Sequence, residues 1–67
     1  MNKQIFARKL KLRRKELKYT ILKMANICHI TEICIIRYEN KYSNYLPTRS
    51  IFNKLLNVLD IEGSYFL

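Results

Sequence analysis

Residues 20–40 read TILKMANICHITEICIIRYEN, and this stretch decides the fold. Thr20 is a natural N-cap, because its side-chain oxygen can accept a hydrogen bond from a free backbone N–H of the first turn. Ile21, Met24, Ala25 and Cys28 then follow at i, i+3, i+4 and i+7, which predicts a short second helix over about 21–28. Thr31, preceded by Ile30, is the next start signal. A third helix is expected from Glu32 to about Asn40, with Ile35 and Tyr38 turned inward on the face of Ile30. Only His29 and Ile30 separate the second helix from the cap of the third. So tight a link between two short helices is the geometry of a helix-turn-helix.

The flanking sequence reads the same way. Phe6, Leu10 and Leu17, with Ile5, Leu12 and the stem of Arg13 nearby, repeat at helical spacing and predict a first helix over residues 3–17. Its other face carries Arg8, Lys11, Arg14, Lys15 and Lys18. Residues 40–47 form a polar, aromatic loop. Pro47-Thr48 then opens a fourth helix whose buried stripe is Ile51, Phe52, Leu55, Leu56 and Leu59. Asp60-Ile61 breaks that helix, and Glu62-Gly63-Ser64 leads into a last short turn ending Tyr65-Phe66-Leu67. The expectation is one all-α domain over residues 1–67, a compact bundle of five short helices without internal repeats.

Composition narrows the function classes. Lys and Arg number thirteen against five Asp and Glu, a net charge of +8 on 67 residues, which points to a polyanionic partner. Ile, Lys, Asn, Tyr and Phe supply 31 of the 67 residues, so codon bias in an AT-rich genome accounts for part of the Lys. It does not account for nine of the thirteen cations falling within the first 23 residues, where only Glu16 opposes them. No apolar run approaches the roughly 20 residues of a membrane span. No signal peptide is read, since Ile5-Phe6-Ala7 meets Arg8-Lys9 at once. Cys28 and Cys34, with His29 between them, fall short of the four ligands of a structural zinc site, so neither a metal nor a cofactor is expected. The thiols are expected to be reduced, in a cytoplasmic protein, with Cys28 in the core.

The order and spacing of several residues resemble the Cro and phage-repressor type of helix-turn-helix, also called the xenobiotic-response-element type. Arg13-Arg14-Lys15-Glu16-Leu17-Lys18-Tyr19-Thr20 is similar to that family's first-helix ending. Met24-Ala25 followed by Cys28-His29-Ile30-Thr31 is similar to its Leu-Ala, apolar, Gly, Val, Ser/Thr pattern. Ile35 and Tyr38-Glu39-Asn40 resemble the close of its recognition helix. Pro47, Leu55 and Leu59-Asp60-Ile61 fall where the family has its Pro, its fourth-helix leucines and its Leu-Gly-Val. The likeness spans about residues 6–67. It departs from the family at three places. Ile21 replaces the Gln that opens the second helix and holds a phosphate. His29 replaces the turn glycine, at a position where His tolerates left-handed backbone better than most residues. Lys41 stands where a glycine often ends the recognition helix, with an expected conformational cost.

The resemblance implies a lambda-repressor-like DNA-binding domain, working as a sequence-specific transcriptional regulator like small Cro-type repressors. The source would be a phage or bacterium, with the protein acting in the cytoplasm on the nucleoid. By resemblance, Thr31, Glu32, Ile33, Ile36 and Arg37 face the bases of the major groove, with Cys34 at the margin. Arg37 is the strongest reader, since its planar fork can pair with guanine O6 and N7. Ile33 and Ile36 can touch only thymine methyls. Thr20, Asn40, Lys41, Tyr42, Thr48 and Arg49 are expected at phosphates, the two threonines because helix starts favour anions. Arg14 and Glu39 are implied to form an ion pair joining the first helix to the end of the third, with Arg14 also open to a phosphate.

One such domain contacts a half-site, so a homodimer is expected, spanning half-sites about 34 Å apart on double-stranded DNA. Its interface is assigned to Leu56, Ile61, Tyr65, Phe66 and Leu67, against the alternative that Phe66 and Leu67 close the monomer core. Three other classes are weighed. A protein-interaction module on the same fold would bind another regulator through Ile21, Ile33 and Ile36, which explains the apolar helix but not the charge. A basic amphipathic peptide on anionic membranes would be disordered without lipid. An enzyme finds no support: five carboxylates and one His form no evident acid–base pair, and His29 points away from Cys28 by roughly 100° on a helix end.

Overall fold

Four side chains start the four α-helices by the same device. Asn2, Thr20, Thr31 and Thr48 each accept a hydrogen bond from the backbone N–H three residues on, at 3.1, 3.0, 3.4 and 3.3 Å. In the computed structural model, which describes residues 1–67, the helices are α1 (Lys3–Glu16), α2 (Ile21–Cys28), α3 (Glu32–Glu39) and α4 (Arg49–Leu59). A single 3-10 turn, Gly63–Phe66, stands where a fifth helix is predicted. There are no strands.

The helix ends depart further from expectation. Lys18, His29 and Asp60 all adopt left-handed backbone, with φ of 60, 57 and 53°. At each, the next residue donates to a carbonyl five positions back: Tyr19 to Arg14, Ile30 to Ala25 and Ile61 to Leu56. These are Schellman closures, ordinarily made with glycine. His29 behaves as its replacement of a turn glycine suggests. Lys41 does not: α3 closes on Asn40 in extended conformation, φ −88 and ψ 109°, so the expected cost at Lys41 is absent. The strained lysine is Lys18.

The core gathers one face from every helix: Phe6 and Leu10, Met24, Ala25 and Cys28, Ile35 and Tyr38, Leu55 and Leu59, closed by Phe66. Phe6 lies at its centre, 4.9 Å from the Phe66 ring, 6.3 Å from Phe52 and 6.5 Å from Tyr38 between centroids. Burying each such side chain contributes about 1.5–3 kcal/mol. Leu12, predicted near the core, is exposed, and Arg14, placed on the outer face by periodicity, is buried. α1 packs on α3 and on the 3-10 turn, and α2 packs on α3 and α4.

Much of the charge on α1 serves this packing. The Lys3 ammonium donates to the carbonyls of Arg37, Tyr38 and Tyr45 at 2.9, 2.9 and 2.7 Å. Arg13 Nε donates to the Leu59 carbonyl at 2.9 Å, and Lys9 to those of Tyr65 and Leu67 at 3.0 and 2.9 Å. Two of these cations cover the carbonyl ends of α3 and α4, where a positive charge complements the helix dipole.

Candidate nucleic-acid interface

α2 delivers α3 through a short turn in which His29 is left-handed and Thr31 resets the chain for the next helix. Ile35 and Tyr38 bury the inner side of α3. That leaves Thr31, Glu32, Ile33, Ile36 and Arg37 exposed on its outer side. Ile33 and Ile36 are 58% and 51% exposed, a large apolar area for so short a helix. The five predicted base-facing residues therefore share one exposed surface.

Arg37 is free of carboxylate partners, since the ion pairs of the molecule are Arg13–Glu16 and Arg14–Glu39. Its guanidinium lies 5.6 Å from the Tyr45 ring centroid. Tyr45 in turn stacks on buried Tyr38 at 5.3 Å, with ring planes 13° apart. This cation–π contact, worth about 0.5–1 kcal/mol at an exposed site, positions the charge while leaving its donors available. Sequence reasoning missed Tyr45. Nothing in a loop tyrosine separated by six residues from Tyr38 signals that the two rings stack.

Thr31 is more committed than expected. Its hydroxyl accepts from the Cys34 N–H and donates to Cys34 Sγ at 3.3 Å, so its proton is engaged within α3. That hydroxyl, helped by Tyr45 and the charge of Arg37, holds the Cys34 thiol below the usual thiol range. Burial pushes the Cys28 thiol up. No three His, Cys, Asp or Glu side chains converge anywhere in a manner suited to a metal ion.

Arg14 and Glu39 form an ion pair between α1 and the end of α3. Nε and Nη2 of Arg14 donate to the two Glu39 oxygens at 2.6 and 2.9 Å, and Nη1 donates to the Tyr19 carbonyl at 2.9 Å. The side chains are 8% and 6% exposed. Glu39 holds the Arg14 pKa above its ordinary value. With all three guanidinium nitrogens engaged and its side chain buried, Arg14 is not available to a phosphate.

Of the residues expected at phosphates, Asn40, Lys41 and Tyr42 come together in one place. Asn40 Oδ1 accepts from the Tyr42 N–H at 3.0 Å, folding the chain so that Tyr42 projects, 81% exposed. The Lys41 ammonium lies 5.2 Å from the Tyr42 ring centroid. These three residues form one wall of a groove of about 530 Å³, whose other wall is α1 with Arg8 and Lys11. Thr20, Thr48 and Arg49 are exposed at helix starts and lie outside that groove.

The residues assigned to a dimer surface divide. Phe66 is 2% exposed and belongs to the core, so it is corrected from interface to packing residue. Leu56, Ile61 and Tyr65 are half-buried around it. Leu67 is exposed, although its carbonyl is held by Lys9. No helix is long and apolar enough to cross a membrane. No protein-family model, curated protein or solved structure matches this chain.

Proposed function

We propose that this chain is a sequence-specific DNA-binding regulator whose α2 and α3 act as a helix-turn-helix, with α3 as the recognition helix in the major groove. The reading is supported above all by the outer face of α3, where an unpaired Arg37 held on Tyr45 stands beside exposed Glu32, Ile33 and Ile36. In that arrangement Arg37 donates to guanine O6 and N7, the isoleucines contact thymine methyls, and Thr31 contributes mainly by capping the helix. Thr20, Asn40, Lys41, Tyr42, Thr48 and Arg49 lie against the sugar-phosphate backbone and fix the register. So few donors make direct readout thin, and the shape of AT-rich DNA carries part of the preference. A homodimer doubles the contact, through Leu56, Ile61, Tyr65 and Leu67. Repression in the cytoplasm of a phage-infected or bacterial cell is the role that suits a domain of this kind.

The test is selection from a randomised duplex pool at moderate salt, where nonspecific attraction is already weakened. The expected product is a roughly palindromic motif with half-sites about 34 Å apart. Arg37→Ala should abolish the enrichment while leaving the fold intact. The exposed pair Ile33 and Ile36 favours a second reading, a protein-contact face on the same fold. Under that reading Arg37→Ala has no effect on partner binding, and Ile33→Asp abolishes it.

A further inference from the structure

The cations of α1 fall into two sets that its sequence does not separate. Lys3, Lys9, Arg13 and Arg14 donate to carbonyls or to Glu39 and hold the fold together. Arg8, Lys11 and Lys15 make no hydrogen bond and no ion pair, and they follow one another at i, i+3 and i+7 along one side of the helix. Arg8 and Lys11 line the groove opposite Lys41 and Tyr42. Lys15 continues the row in an adjoining shallow depression of about 400 Å³ that also includes Leu12. Glu39, the carboxylate at the groove, is neutralised by Arg14.

We propose that Arg8, Lys11 and Lys15, with Lys41, form a second backbone-binding wall that takes the sugar-phosphate strand of duplex DNA flanking the site read by α3. The proposal rests on the DNA-binding reading above and extends it to a surface outside the two-helix unit. The dimensions agree. Seven residues of helix advance about 10.5 Å, which spreads the three cations far enough apart for each to meet its own phosphate along one strand. Continuity agrees too, because the groove ends on Asn40, Lys41 and Tyr42, which directly follow the recognition helix. An exposed tyrosine beside a lysine suits a sugar-phosphate edge, where the ring packs on the sugar while the charge meets the phosphate. An acidic protein segment is the competing occupant, but it gives no reason for the row to be continuous with the loop after α3.

The experiment replaces Arg8, Lys11 and Lys15 by Gln together and measures affinity for the selected duplex across a range of salt. Three lost phosphate contacts should flatten the slope of log affinity against log salt by about 2.7, so that a fourfold rise in salt costs the variant some 40-fold less than the parent. Hydroxyl-radical protection at the flank should vanish while protection at the centre persists, which separates local contact from a general loss of charge. An unchanged slope, or flank protection retained by the variant, overturns the inference and leaves the α3 reading standing. Binding of polyglutamate that depends on this row, with DNA binding unaltered, assigns the groove to acidic proteins and overturns it as well. If the parent itself selects no duplex, both proposals fall together.

Discussion

Replacing Arg14 by Met removes the tie between α1 and the end of α3 and leaves the Glu39 carboxylate buried without a partner. The structure sets the scale. Two charge-assisted bonds at 2.6 and 2.9 Å are lost, with a third to the Tyr19 carbonyl, and the remaining carboxylate is only 6% exposed. Breaking a buried pair from one side costs about 3–5 kcal/mol, most of it the penalty of an uncompensated charge. A domain of this length has a total stability of roughly 3–10 kcal/mol. Arg14→Met should therefore shift the urea midpoint far down or leave the chain largely unfolded at room temperature. Glu39→Met should cost less, because Arg14 keeps its bond to Tyr19. The double variant, with both charges gone and apolar volume in their place, should recover much of the loss and be more stable than Arg14→Met alone. Urea denaturation followed by far-ultraviolet circular dichroism gives all three values. An Arg14→Met cost below about 1 kcal/mol, or a double variant whose cost equals the sum of the singles, would refute the reasoning.

Lys18 is the least suitable of the three left-handed residues, and Lys18→Gly should stabilise the fold. Relief of about 1–2 kcal/mol of backbone strain outweighs the added freedom of the unfolded chain, raising the melting temperature by roughly 2–8 °C; a lower melting temperature contradicts it. Burial, with smaller repulsion from Cys34 and Tyr45, pushes the Tyr38 phenol up to about 12 from its usual 10. A raised folded pKa means that this contribution is intact below pH 10 and is lost as pH rises toward 12, amounting to about 2–3 kcal/mol. Alkaline denaturation curves should show this loss, and Tyr38→Phe should lack it. In thiol labelling near neutral pH, Cys34 should react promptly and Cys28 only on unfolding, since the first has a lowered pKa and the second is fully buried. Equal rates would count against the placement of both.

The capping and core pattern of this fold is legible in the chain because it is local. Thr20, Thr31 and Thr48 announce the helix starts, and the spacing of Met24, Ala25 and Cys28 announces the buried face. What escapes is whatever depends on one helix meeting another. Periodicity puts Arg14 on the outer face of α1, and only the resemblance pairs it with Glu39, whose approach makes a buried site for it. The same blindness merges Lys3 and Arg13, which cover the carbonyl ends of other helices, with Arg8 and Lys11, which cover nothing. Glycine content misleads about turns, because three left-handed positions are filled by Lys18, His29 and Asp60 instead. At the candidate site, the exposed face of α3 follows from its inward pair Ile35 and Tyr38. The hold of Tyr45 on Arg37 does not, because it requires the loop to fold back over the seven residues between them.

Amide chemical-shift mapping tests the central claim, that the outer face of α3 meets DNA, most directly. Isotope-labelled protein is titrated with a short duplex from the selection, at moderate salt. The largest changes are expected at residues 31–37, with a second group at Thr20, at residues 40–42 and at Thr48 and Arg49, all lost when Arg37 and Lys41 are both replaced by Ala. Changes confined to the groups around Leu56, Ile61 and Tyr65, or spread evenly and abolished by added salt, would contradict it.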